Sequence, residues 1–328
     1  MYLIALAIAL PVAMFIDRCW GEPPMRLHPV VWMGNYLGWA GRWLQRYTVQ
    51  MPEDATVPLG PDLKAFWLGA LVWIAGVAMV LVASWRLQAY CLTLPWWAAG
   101  LLLGLLLKPL LAWAMLKTEV QAVEAALVES LPAGRERLRY LVSRDVTQLS
   151  DTEVRESAIE TLAENLNDSV VAPIFWFVLL GLPGAALYRF ANTADAMWGY
   201  PGIYQGRNWA WAGKWAARAD DVLNYVPARL TAALLLLVAG MRGLALVPQL
   251  CTEAHKTPSP NSGWPMSAMA LTLGIALRKP GVYVLNPLGR LVQTSDTDFS
   301  IAFASKVLIV HVFIAFLAII LIVNKDLI

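Results

Sequence analysis

Long apolar runs alternate with polar ones from one end of the chain to the other, and the runs set the first expectation. About twenty apolar residues carry a helix across a bilayer. Ala65 to Ala83 and Leu94 to Leu116 meet that length, the second with Lys108-Pro109 inside it as a predicted kink holding a buried or snorkelling cation. Met1 to Ile16 is shorter and carries Pro11. It lacks the basic start and small-residue cleavage site of a signal peptide, so it reads as a retained anchor or span. Ala228 to Val247 is apolar apart from Arg229 and Arg242, and Val307 to Val323 completes the series. Val170 to Tyr188, broken at Pro173 and at Gly181-Leu182-Pro183-Gly184, reads either as a span or as a re-entrant helix. The pattern predicts an all-α polytopic membrane protein with five or six transmembrane or re-entrant helices and long polar helical loops. No repeat or low-complexity linker divides residues 1–328, so a single membrane domain is expected.

Composition supports a membrane location. Of 328 residues, 59% are hydrophobic and 15% charged, with a mean hydropathy of +0.56, which excludes an ordinary soluble domain. Net charge is +2 and the basic residues are spread singly, so nucleic acid is set aside as a partner. Cys19, Cys91 and Cys251 lie far apart without metal or disulfide spacing and read as small apolar fillers. On a count of six spans, the loops before the second, fourth and sixth hold most of the Lys and Arg and fall in the cytoplasm. That count puts Arg189 to Pro227 across the membrane from the acidic stretch below, a conflict that a re-entrant fourth segment removes.

Ser150 to Pro173 carries the densest chemistry. Ser150-Asp151-Thr152-Glu153 has the form of a capping box and predicts a helix start. Glu156, Glu160 and Glu164 follow at four-residue spacing, with Asn167 three further on, so all four share one helix face. The helix runs straight into the apolar VVAPIFWFVLL, where burying like charges is costly unless cations oppose them. Two readings fit: a solvated face balanced by Arg155 and nearby arginines, or oxygen ligands for a hard cation such as Mg²⁺.

Four more stretches stand out. His28 opens HPVVWMG, as a structural turn or as a hydrogen-bond donor to a bound phosphate or ligand ring. Asn192 and Asp195 lie in NTADAMWGY. Asp220, Asp221 and Asn224 adjoin an apolar run, either salt-bridged to Arg218 and Arg229 or metal-bound. His255, Lys256, Ser259 and Asn261 sit in a stiff, proline-rich loop that suits a ligand or an ordinary turn. No P-loop, Rossmann or nucleophile-elbow motif occurs, so any nucleotide is held by other means.

In order and spacing, HPVVWMG, SRDVTQLSDTEVRESAIETLAENLNDSVVAPIFW, YRFANTADAMWGY, ARADDVLNYVPARLTA and HKTPSPNSGWPMSAMA resemble the cobalamin-biosynthesis membrane protein family CobD/CbiB, nearly end to end. The resemblance implies a bacterial inner-membrane enzyme with a cytoplasmic site. It implies a carbon–nitrogen ligase that joins adenosylcobyric acid to (R)-1-aminopropan-2-ol or its O-phosphate, using ATP and Mg²⁺ through an acyl phosphate. On that reading Glu164, Asp220 and Asp221 are catalytic candidates, and Glu160, Glu164, Asp168 and Asp195 are metal candidates. His28, Arg144, Asn165, Asn192, Arg218, Asn224, Arg229, His255, Lys256, Ser259 and Asn261 are candidates for substrate or phosphate. The chain departs from the family pattern at Arg278-Lys279-Pro280-Gly281-Val282-Tyr283-Val284, where Gly-Gly-Pro and then Tyr-Gly are expected. The rival reading is a membrane sensor similar to AmpE, without amidation activity.

Overall fold

Capping chemistry written in the sequence starts several of the helices. The structure is a computed structural model and describes residues 2–48 and 60–325. The chain begins with α1 (Tyr2–Trp20), then α2 (Pro29–Leu44), where His28 Nδ1 accepts from Val30 N–H and Pro29 occupies the first turn. Asp62 caps α3 (Leu63–Cys91) by accepting from Ala65 N–H at 2.9 Å. Next, α4 (Trp96–Leu107) passes through a single 3₁₀ turn at Lys108–Leu110 into α5 (Trp113–Glu129), so the predicted kink is present. A short α6 (Leu131–Leu138) precedes α7 (Asp151–Leu166), whose Ser150–Glu153 capping box forms as the sequence predicts.

The fourth apolar run is not one helix. A π-turn (Asn167–Val171) leads into α8 (Ala172–Leu180), which stops at Gly181, and α9 (Leu182–Trp198) packs back on α8. Gly181 has φ +68°, where a side chain would be strained and would meet Gln88. Gln88 Oε1 accepts from Leu182 N–H at 2.7 Å and so caps the new helix from α3.

After a small hairpin, β1 (Ile203–Tyr204) with β2 (Arg207–Asn208), comes α10 (Lys214–Val238). The apolar run expected at Ala228 to Val247 is thus the second half of a helix that starts at Lys214 and ends at Val238. The Asp220-Asp221 pair lies inside that helix. Pro227 has no N–H to bond the Leu223 carbonyl, which accepts instead from Trp176 Nε1 of α8 at 3.0 Å. Beyond it lie α11 (Met241–Ala245), α12 (Val247–Glu253), α13 (Gly263–Leu273), the hairpin β3 (Leu277–Lys279) with β4 (Tyr283–Leu285), and α14 (Thr294–Lys325).

Among the described residues, five helical stretches are long and apolar enough to cross a membrane: Leu3–Trp20, Leu63–Cys91, Trp96–Glu129, Lys214–Val238 and Thr294–Leu321. This is the all-α, multi-pass architecture that the hydrophobic pattern predicts. Helices gain little from apolar burial against one another in lipid, so small residues and polar contacts decide which ones meet. Gly100 and Gly104 of α4 lie flush against Ile8 and Val12 of α1, where added side chains would collide. Of the three free cysteines, Cys91 is the buried filler expected, whereas Cys19 and Cys251 are exposed.

Candidate active site

The glutamate face of α7 divides into a paired end and an unpaired one. Glu156 is fully buried and takes the Arg278 backbone N–H together with its guanidinium, the closest contact being 2.6 Å from Nη2 to Oε1. Glu160 meets Arg144 Nη2 at 3.3 Å and faces Tyr283 and Lys279, while among the described residues its Oε1 is buried without a hydrogen-bond partner. Arg144 also donates to Ser157, and its Nε and Nη1 are buried without partners. Cations do oppose the stripe, but they come from the β3–β4 hairpin and from Arg144. Arg155 is committed to Glu124 at 2.9 Å and Asp151 at 3.2 Å.

Past Glu160 the counter-charges thin to Lys279 near Glu164 and Arg189 beside Asp168. Among the described residues the Glu164 side chain accepts no hydrogen bond, and burial and the charges of Asp168 and Glu160 push its carboxyl up to about 8. Burial and the nearby Asp168 and Asp221 push Asp195 up to about 6. Asp168 is held mainly by amides and hydroxyls: Oδ1 takes Asn224 Nδ2 at 2.7 Å, Asn167 Nδ2 at 2.8 Å and Tyr188 Oη at 3.3 Å. Asn192 Nδ2 bridges Asp168 Oδ2 at 3.3 Å and Asp220 Oδ1 at 3.5 Å. Thr231 closes the back of the cluster by donating to Asn167 Oδ1 at 2.8 Å. Residues from α7, the π-turn, α9 and α10 therefore converge, and the separation implied by six alternating spans does not exist here.

Of the predicted site residues, Glu160, Glu164, Asp168, Asn192, Asp195, Asp220, Asp221 and Asn224 are gathered in this region, with Arg144 at its cationic end. The others lie around it or away from it. Arg218 is exposed and makes no hydrogen bond or ion pair among the described residues, and Arg229 stacks on Tyr225 and Trp264, so neither arginine neutralises the aspartates. Arg229 instead bonds Asn261 Oδ1 at 3.2 Å, and Asn261 Nδ2 donates to the Asp221 carbonyl at 2.8 Å. Through these bonds the proline-rich loop buttresses the α10 backbone beside the acids. Ser259 Oγ accepts from the N–H groups of Asn261 and Ser262 within that turn. Lys256 pairs with Glu253 at 2.6 Å, and His255 bonds the Cys251 carbonyl. Asn165 bonds back to the Thr161 carbonyl.

His28 belongs to a second buried cluster. Its Nε2 lies 3.1 Å from Glu22, which also meets Lys108 at 2.7 Å; Lys108 meets Asp17 at 3.2 Å. A cavity of about 840 Å³ opens beside this cluster, lined by Glu22, Lys108, Trp32, Tyr36, Met79 and Phe190 among others, and none of the gathered acids lines it.

Sequence reasoning missed Tyr188, Arg189, Arg278, Lys279 and Tyr283 as parts of the site. The one signal available was the departure at 278–284, where two cations stand in place of small residues.

A family model described as CobD/Cbib protein matches residues 10–310. The chain belongs to the CobD/CbiB family. The probable cobalamin biosynthesis protein CobD of Methanothermobacter thermautotrophicus is 40% identical over 278 residues, 84% of each chain. The cobalamin biosynthesis protein CobD of Chromobacterium violaceum is 40% identical over 276 residues, 83% of this chain and 81% of its own. The probable cobalamin biosynthesis protein CobD of Methanothrix thermoacetophila is 32% identical over 317 residues, 94% of this chain and 96% of its own. No solved structure matches. Membership in this family makes the chain a cobalamin-pathway protein, which implies a corrinoid substrate and a membrane setting.

Proposed function

We propose that this CobD/CbiB protein is an ATP-dependent ligase that joins the free propionate of adenosylcobyric acid to (R)-1-aminopropan-2-ol or its O-phosphate. The observation that carries this reading is the gathering of Asp168 and Asp220 under Asn192, beside Glu164 and Asp195, with more carboxylates than cations. Amide synthesis from a carboxylate needs a leaving group. The propionate oxygen bonds to the γ-phosphorus of ATP and ADP departs; the amine nitrogen then bonds to the acyl carbon and phosphate departs. The incoming ammonium loses one proton before attack and the second leaves with phosphate.

Mg²⁺ fits the donor set. The cluster is rich in carboxylate and amide oxygen, and Glu160 Oε1 is buried without a partner. No group of three carboxylates, histidines or cysteines closes on a metal position among the described residues. The protein alone would therefore supply one or two carboxylates, and water and phosphate the remaining positions. Asp168 and Asp195 are the residues assigned to it, and when bound it would neutralise phosphate charge. Glu164 is assigned as the base: its carboxyl, pushed up to about 8, is mostly protonated at neutral pH, and a cation bound beside it would favour the carboxylate form that takes the proton of the incoming ammonium. Arg144 and Lys279, at the opposite end, suit the phosphate of the amine. Asn224 holds Asp168 in place from α10, and Asn192 links Asp168 to Asp220.

Purified protein given adenosylcobyric acid, ATP, Mg²⁺ and each amine in turn, followed by mass spectrometry, tests the reading. The expected result is the amide mass with equimolar ADP. Binding of the corrinoid without ATP turnover or mass change would overturn it in favour of the sensor reading.

A further inference from the structure

The π-turn between α7 and α8 is the least ordinary piece of backbone near the acids. At this turn the Ala172 N–H bonds the Asn167 carbonyl, five residues back, where an α-helix would reach four. Pro173 follows and has no N–H to offer the Ser169 carbonyl. Three carbonyls of the turn take donors from elsewhere in the fold. Ser169 O accepts from Ala112 N–H at 3.1 Å, Asp168 O from Arg189 Nη1 at 3.4 Å, and Val171 O lies 3.3 Å from Nε2 of His311 in α14.

The consequence is visible in the side chains. Successive residues of an α-helix point about 100° apart. Here neighbouring Asn167 and Asp168 both reach Asn224, at 2.6 Å and 2.7 Å. The wide turn brings two polar side chains onto one partner on α10.

We infer that His311 is a positioning residue: by donating Nε2–H to the Val171 carbonyl it clamps the π-turn and so fixes where Asp168 points. His311 is 3% exposed, and among the described residues its ring makes no other hydrogen bond or ion pair, Nδ1 being without a partner, so no second polar contact accounts for a histidine among the apolar residues of α14. Burying an imidazole for one hydrogen bond costs free energy that a leucine there would avoid. The carbonyl it serves is the last residue of the turn that sets Asp168. The inference rests on the reading of Asp168 as a cation-site residue only for its effect on binding; the clamp itself concerns the backbone.

The test uses the full chain in detergent with two variants, His311→Leu and His311→Gln, the second keeping an N–H donor. Two readouts apply: Mn²⁺ binding by electron paramagnetic resonance, and amide hydrogen exchange over residues 166–176. His311→Leu is expected to raise exchange across the turn. It should also weaken Mn²⁺ binding about 10- to 100-fold, the range for losing an outer hydrogen bond at a metal site. His311→Gln should restore both. Unchanged exchange in His311→Leu overturns the clamp, as does raised exchange in His311→Gln, which also decides the matter if the leucine variant does not fold. Should Asp168→Asn leave Mn²⁺ binding intact, the cation reading fails by itself, and exchange alone judges the clamp.

Discussion

Two buried polar clusters sit in this apolar scaffold, and they solve the cost of burial in different ways. At Asp17, Glu22, Lys108 and His28, a lysine that is 2% exposed lies between two carboxylates and the histidine adds a further donor. Burial raises the Glu22 carboxyl, but the hydrogen bonds from His28 and Lys108 and the lysine's charge bring it below the ordinary carboxylate range. The cluster is closed around Lys108, which meets both carboxylates, and it ties α1 to the α4–α5 kink. Around Asp168 the donors are amides and hydroxyls, the acids outnumber the cations, and Glu164 moves the other way, up to about 8. A site left acid-rich within a fold is unstable as it stands unless something cationic joins it. The first cluster is paired within the fold; the second leaves its acids open to the cation proposed for it.

Isosteric changes separate the two most sharply. Asp168→Asn keeps volume and removes charge from a site with too much of it. Product formation should fall about 10²- to 10³-fold, the scale for losing one group that stabilises the reacting charges. The unfolding temperature should hold or rise. Lys108→Met should do the reverse. Leaving two buried carboxylates without their cation should cost about 3–5 kcal/mol of stability, seen as earlier thermal unfolding in detergent, while the amine KM of the surviving folded fraction stays unchanged. If Asp168→Asn unfolds the protein and Lys108→Met does not, the roles given to the clusters are reversed.

The fold was largely legible because its signals are local. The capping box at Ser150 and the Lys108-Pro109 kink act within one or two helical turns, and the structure keeps both, as it keeps the apolar runs at Ala65 to Ala83 and Leu94 to Leu116. Boundaries failed where polar residues entered a helix: α10 begins at Lys214, since a helix with one buried and one open side can carry Asp220 and Asp221 on the way in. The site was legible as a set of acids and amides but not as a balance of charge. Which glutamates are neutralised depends on Arg278 and Lys279, more than a hundred residues away by sequence, and on the hairpin that folds them back onto α7. Arg155, the nearest candidate in sequence, points elsewhere.

A smaller effect sharpens the comparison through pH. The Glu164 carboxyl stands at about 8 against an ordinary 4.5, so between those values the folded protein holds a proton that the unfolded chain releases. The stability this provides is fully present below about 4.5 and is lost as pH rises through about 8, with a slope of at most about 1.4 kcal/mol per pH unit for one proton. Unfolding temperature measured without divalent cation should therefore decline from pH 6 to 9. Glu164→Gln should flatten the decline, and millimolar Mg²⁺ should flatten it in the unaltered protein, because a bound cation favours the ionised carboxylate. A Gln variant with the original slope would assign the proton to another group.

The smallest expected effect lies where neither cluster is involved. At the α1–α4 contact, Gly104 faces Val12 and the Ala9 carbonyl, and a larger residue must push the helices apart. Gly104→Val should cost about 1–3 kcal/mol, the usual range for overpacking. Because α1 carries Asp17 at its far end and α4 leads directly to Lys108, the separation should loosen the closed cluster. It should leave the Asp168 cluster, held from α7, α9 and α10, with its cation affinity intact. Thermal unfolding and Mn²⁺ titration on the same sample distinguish the two responses. A weaker Mn²⁺ site in Gly104→Val would mean that the clusters are mechanically coupled through Glu22 and Arg189, whose charges already feel each other.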